Sequence, residues 1–241
     1  MVAIDPLTEG QLRPPGPPRP VRHPDAAALR QAVCAAVHEA LASSAGRFVA
    51  LAVGATTLPV YAGLDPAHPG WAGRAITPVD ELVPPPAEPG RRFAVRLAAA
   101  LPPGLRPLLV PLDVSGAPEV RAAEFDARLR DEGLAVTVLG LGPDGHIGFN
   151  QPPTPADAPS RVVDLHPGNL GRLEGVEPAR AALTMGIAPI LAASAVVVVA
   201  DGPGKRAALE RLVRGPEDPN WPVTWLRRHP RLSIAEGPDL T

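Results

Sequence analysis

The chain predicts an α/β domain in which a mostly parallel sheet is covered by helices on both faces. Three observations carry this expectation. Short segments such as "FVALAV" (48–53), the stretch 134–140 and "AVVVVA" (195–200) are apolar at nearly every position, the pattern of strands buried on both faces. Segments of helical periodicity separate them, and glycine or proline punctuates the joins. With 241 residues the chain is long enough to bury one substantial core.

The elements follow in order. Residues 1–24 contain six prolines between Pro14 and Pro24, each fixing φ and removing a donor, so an extended or disordered arm is expected there and a single domain over 25–241. Asp25 is placed to cap a helix whose Leu29, Val33, Val37 and Leu41 recur along one face. A strand at 48–53 leads into "GATTLPVYAGL", read as a loop and short helix. "AITPVDELVPPP" begins as a short strand that delivers Asp80 and Glu81 to a loop, and its three consecutive prolines prevent a helix. Residues 92–100 read as helix, "PLLVPL" (107–112) as strand and 118–132 as helix, with Ala122, Phe125 and Leu129 on one side. After the strand at 134–140, "ALTMGIAPILAAS" (182–194) reads as helix, 195–200 as strand, 202–215 as turn and helix, and "RLSIA" (231–235) as the last strand. If the strands are parallel, the loops at 54–59, 80–83, 141–152 and 201–205 share one edge of the sheet, where ligands of such folds bind.

Composition excludes several classes. A formal net charge of −2 and no Lys/Arg cluster interleaved with aromatics argue against a nucleic-acid partner. The apolar runs fall far short of the ~20 residues that a membrane span needs. No positively charged segment followed by an apolar core opens the chain, so no secretory signal is expected. The single Cys34 lies among helix formers and reads as a small buried hydrophobe, consistent with a cytoplasmic setting. No HxxxH or CxxC spacing suggests zinc.

The chemistry concentrates in "GLGPDGHIGFNQP" (140–152). Its GxGxxG match is a weak dinucleotide signal, because no acidic residue on a second strand completes it. Asp144 two residues before His146 on a glycine turn is more suggestive, since a carboxylate can fix an imidazole's tautomer. The competing reading is an Asx-turn with a packed histidine.

Read whole, the stretch resembles the signature GxGxDGHIAFNEP of the glucosamine-6-phosphate deaminase/isomerase family. The related 6-phosphogluconolactonases share GPDGH but continue differently. Ile147, Phe149, Asn150 and Pro152 follow the deaminase form, and Pro143 looks lactonase-like. "ITPVDELV" is similar to the family's Asp-Glu segment, and 182–209 to a block ending in a phosphate-binding lysine, here Lys205. The resemblance implies a Rossmann-like three-layer α/β/α sandwich. It also implies a cytoplasmic enzyme that isomerises and deaminates a small-molecule amino sugar phosphate such as glucosamine 6-phosphate, with no metal or redox cofactor. On this reading Asp80 is the proton-transfer base and His146, held by Asp144, opens the sugar ring. Gly54, Thr56, Thr57, Gly145, Arg172 and Lys205 fall at or near phosphate and substrate positions. Lactone hydrolysis is the alternative, and a sugar-phosphate-binding protein with impaired turnover is a third. The residues do not choose an oligomeric state.

This sequence departs from the family at the chemistry. The glutamate of FNEP is Gln151, which can hydrogen-bond the imidazole but carries no charge. The family's phosphate loop, usually (S/T)GG(S/T)P, is "GATTLP", with Thr56 and Thr57 in place of two glycines. β-Branched residues resist positive φ, so a reshaped anion nest is expected.

Overall fold

The computed structural model describes residues 18–165 and 176–241, so Arg172 and His166 lie outside the described residues. Six strands form one sheet in which every pairing is parallel: β1 (Pro20–Arg22), β2 (Phe48–Leu51), β3 (Ala75–Pro78), β5 (Leu134–Gly140), β8 (Val196–Ala200) and β9 (Leu232–Glu236), in the order β1-β9-β8-β5-β2-β3. A second sheet, not foreseen from the sequence, is antiparallel with order β4-β7-β6 and comprises β4 (Asp80–Val83), β6 (Arg161–Asp164) and β7 (Ala181–Thr184).

The apolar runs become central strands because both faces are covered. Val196, Val198 and Ala200 of β8 enter one core, whereas Val197 and Val199 enter the other, and β2 divides in the same way between Phe48/Ala50 and Val49/Leu51. Such alternation leaves no solvent face, which is why no polar residue interrupts these strands. Helix α1 (Ala26–Ser43) buries Leu29, Val33, Val37 and Leu41 against one face, as their spacing predicts. Its N-cap forms as expected, with Asp25 Oδ1 accepting from Ala28 N–H at 2.8 Å, an interaction worth about 1 kcal/mol. The short α2 (Leu58–Tyr61) and α3 (Phe93–Ala100) pack on the same side. On the opposite side α4 (Pro118–Glu132), α5 (Ile187–Leu191) and α6 (Arg206–Arg214) supply Phe125, Leu129, Ile187, Ile190, Leu209 and Leu212. The three-layer α/β/α architecture expected from the sequence is the one observed.

Four local expectations are corrected. Residues 20–22, assigned to the arm, are an edge strand beside β9. Pro20 is tolerated because it is the first residue of an edge, where its missing N–H breaks no ladder. "PLLVPL" is not a strand: Pro103–Leu108 is a 3-10 helix, and only Leu109 bridges Ile76. Prolines at 107 and 111 remove the donors a ladder requires. Residues 80–83 are a strand rather than a loop, and the helix expected over 182–194 is split into β7 and α5. Ala182, Leu183 and Thr184 are held as strand by pairing with β4 on one side and β6 on the other, so tertiary pairing overrides a helical composition. Among the described residues, no helix is long and apolar enough to cross a membrane.

Candidate active site

The carboxyl ends of β2, β5 and β8 open onto a cavity of about 370 Å³, closed from the side by β4 and α3. Asp80, His146, Gly54, Thr56, Thr57 and Lys205 all line it, although they come from four chain segments as much as 151 residues apart in sequence. The carboxylate and the imidazole expected to act together thus face one space.

Asp80 is buried, only 5% exposed, at the start of β4. The antiparallel register sets Thr184 directly opposite. Thr184 Oγ1 donates to Asp80 Oδ1 at 2.5 Å, and Phe149 N–H donates to the same oxygen at 3.3 Å. Among the described residues Oδ2 has no hydrogen-bond partner, so that oxygen is left for a ligand. Burial pushes the Asp80 carboxyl up to about 7. The Thr184 and Phe149 hydrogen bonds and the charge on His146 moderate that rise, and Glu81 adds to it. A carboxylic acid of this strength is poised to exchange a proton near neutrality. The next residue on the strand points the other way: Glu81 accepts N–H groups of Phe93 and Ala94 at 3.0 Å each and so caps α3. The Asp-Glu pair therefore separates chemistry from scaffolding by the two-residue period of a strand. Gly148, at φ +58°, allows the approach, because a Cβ there would lie 2.9 Å from Asp80 Oδ1 and 3.0 Å from Thr184 Oγ1.

His146 follows the turn after β5. Its Nδ1 lies 2.6 Å from Asp144 Oδ1, which also accepts the His146 backbone N–H at 3.3 Å. The imidazole hydrogen bond pulls the Asp144 carboxyl down to about 2, so it is an anion throughout the neutral range. An ionised acceptor on Nδ1 assigns that nitrogen the proton and leaves Nε2 to exchange one. Gly142 makes room for the ring: a Cβ there would sit 2.3 Å from it. Asn150, in the same motif, is fully buried and ties the loop down by donating from Nδ2 to the Ile147 and Met185 carbonyls at 2.9 and 2.7 Å. Its amide oxygen accepts from Arg161 at 2.8 Å.

The loop after β2 contains no positive-φ residue. Among the described residues no non-glycine residue has positive φ, and Thr57 adopts helical φ −91° and ψ −39° at the start of α2. Its hydroxyl turns inward, donating to Ala52 O at 2.8 Å and accepting from Gly54 N–H at 3.1 Å. The Gly54 donor is thereby spent inside the protein. Thr56 instead faces the cavity and accepts from Lys205 Nζ at 2.5 Å, joining the exits of β2 and β8.

Among the described residues three expected ones are not on the cavity wall: Asp144, which reaches it only through His146, Gly145 and Gln151. Gly145 packs against Trp221, and its carbonyl accepts from Val223 N–H at 2.8 Å. Gln151 is held by its backbone, donating to Phe149 O and accepting from the Thr154 hydroxyl, and it is not among the wall residues. Arg172 lies outside the described residues. Sequence reasoning missed Thr184, Gly148, Phe93 and Arg96. The misread strand hid Thr184, and nothing local marks one arginine of α3 as facing a cleft. Cys34 is as bland as expected: its Sγ donates to Val60 O at 3.4 Å, and burial pushes the thiol up to about 11.

The family model described as glucosamine-6-phosphate isomerases/6-phosphogluconolactonase matches residues 24–234. A glucosamine-6-phosphate deaminase of Rhodopirellula baltica is 44% identical over 118 residues, which are 46% of this chain and 47% of that protein. One of Bacillus cereus is 34% identical over 130 residues, 52% of this chain and 50% of that protein. The chain spans about half the length of these curated relatives. Among solved structures, a monomeric glucosamine-6-phosphate deaminase superposes with TM-score 0.80 at 18% identity, covering 91% of this chain and 97% of that one. The 6-phosphogluconolactonase of Thermotoga maritima gives TM-score 0.68 at 18% identity, covering 92% and 100%. These structural likenesses establish the shared fold. With the match extending from residue 24 to 234, the chain belongs to the glucosamine-6-phosphate isomerase/6-phosphogluconolactonase family.

Proposed function

We propose that this chain is a cytoplasmic enzyme of carbohydrate metabolism that isomerises and deaminates an amino sugar phosphate such as glucosamine 6-phosphate. The observation that carries the reading is the convergence of Asp80 and the Asp144–His146 pair on one cavity whose other end holds Lys205 and Thr56. His146 Nε2 relays the proton between the ring oxygen and the C1 hydroxyl as the sugar opens. Asp80 Oδ2 takes the proton from C2 and returns it to C1. Water then adds at C2 and ammonia leaves. Lys205 and the Thr56 hydroxyl hold the phosphate, with charge-assisted hydrogen bonds of the kind that Lys makes to phosphate oxygens. Arg172 joins this set on sequence grounds alone. Incubation with glucosamine 6-phosphate, followed by assay of ammonia and fructose 6-phosphate, tests the reading. Turnover that survives Asp80→Asn refutes the role of that carboxylate.

A second reading, lactone hydrolysis with His146 activating water, draws on Pro143, which lines the cavity beside the Asp144–His146 pair. Hydrolysis of 6-phosphogluconolactone above its spontaneous rate, without ammonia release from the amino sugar, favours it. A ligand-induced thermal shift without either turnover identifies a binding protein.

A further inference from the structure

The cavity contains a cationic side chain that the assignments above leave unused. Arg96, the fourth residue of α3, lines the cavity, half-buried, its guanidinium 5.7 Å from the centre of the Phe93 ring. Phe93 stacks on Phe149 at 6.1 Å and 11°, and Phe149 N–H donates to Asp80 Oδ1. Arg96 therefore stands on the wall that carries the base, whereas Lys205 bonds Thr56 at the exit of β2. Other arginines of the chain find carboxylates, among them Arg91 with Glu88, Arg121 with Glu124 and Arg228 with Glu217. Among the described residues the Arg96 side chain has neither an ion pair nor a hydrogen bond, and its one charged neighbour of note is Arg91, of like sign. Stacking on an aromatic face fixes the guanidinium plane while leaving its N–H edge available. A partly desolvated cation that lines the same cavity as a proton-transfer base, with no anion of its own among the described residues, is matched by negative charge that the ligand brings or develops there.

We propose that Arg96 is a further catalytic residue, its guanidinium donating to the sugar's C1 oxygen as that oxygen becomes anionic. This rests on the isomerase/deaminase reading above. In the step concerned the C2–H bond breaks and its proton passes to Asp80 Oδ2. The electron pair forms the C1–C2 double bond, and the former carbonyl pair of C1 moves onto its oxygen, where Arg96 receives the charge. When Asp80 returns that proton to C1, the amine's electron pair closes the C2=N bond and an N–H proton passes to the C1 oxygen, which gives the C2 imine and a C1 hydroxyl with no oxidant or reductant.

Steady-state assay of ammonia release from glucosamine 6-phosphate tests the idea in wild type, Arg96→Met and Arg96→Lys. Arg96→Met is expected to lower kcat about 10²-fold with KM changed far less, and Arg96→Lys to recover part of the loss. A binding measurement that needs no turnover compares 6-phosphogluconate, whose carboxylate mimics the anionic C1 oxygen, with glucitol 6-phosphate, which has a neutral alcohol there. Wild type is expected to prefer the carboxylate at least tenfold, roughly the gain of a charge-assisted hydrogen bond, and Arg96→Met to lose the preference. A kcat within threefold of wild type in a folded Arg96→Met, or a carboxylate preference that survives the substitution, overturns the proposal. Wild-type protein that binds neither probe and releases no ammonia overturns the underlying reading, a different and separable result.

Discussion

The two ends of the cavity treat polar groups in opposite ways. At the Asp80 end, a carboxylate is taken out of water and given two donors on one oxygen only, so its other oxygen and its proton remain in play. At the Thr57 end, a hydroxyl is taken out of water and fully used, donating to one backbone group and accepting from another. The first arrangement lowers stability in return for reactivity, and the second is inert scaffolding. Burial alone does not mark a functional group; an unsatisfied atom facing a cavity does.

Asp80→Asn tests that contrast most severely. It is expected to lower kcat/KM by about 10³-fold or more, since it removes the base. It is also expected to stabilise the protein at alkaline pH. The folded carboxyl sits at about 7, above the ordinary 3.8, so the native state holds this proton more tightly than the unfolded chain. The associated stability is complete below pH 4 and is lost as pH rises through 7. The loss reaches about 4 kcal/mol at full ionisation, so thermal melts of Asp80→Asn should exceed wild type by several degrees at pH 8 and converge with it near pH 4. The same ionisation should give kcat/KM an acid limb centred near pH 7.

Gly142→Ala acts on the partner group. The added methyl has to displace the imidazole, and a loss of about 10²-fold in kcat is expected, measured alongside an unchanged melting profile at the far end of the sheet. Lys205→Met probes the other end of the cavity and should raise KM roughly tenfold or more while changing kcat less, because it removes binding common to ground and transition states. Thr57→Val should do the reverse of Asp80→Asn: turnover persists, but stability falls by about 1–3 kcal/mol as the Gly54 donor loses its buried acceptor. Gln151→Glu should change ammonia release least, within about threefold, because the side chain is off the wall. A large gain would show that position 151 reaches the imidazole after all.

Much of the sheet was legible from residue patterns. The runs at 48–53, 134–140 and 195–200 read as strands with two buried faces, because Thr137 is the one polar residue to interrupt them within a short span. Asp144 and His146 could be paired by eye, since two residues across a glycine turn confine them to hydrogen-bonding range. The threonines of the loop after β2 announced that a positive-φ nest was unavailable. Each of these conclusions needs only a few neighbouring residues and the local geometry that they permit.

The convergence of Asp80 with His146, the hydroxyl of Thr184 on the Asp80 carboxylate, the placement of Arg96 and the exclusion of Gln151 from the wall were decided by tertiary structure. They join positions up to 104 residues apart through the β4–β7 register and the docking of α3. Register is a property of two strands together: slipping it by one residue would turn Thr184 to the opposite face, yet leave every local propensity as it was.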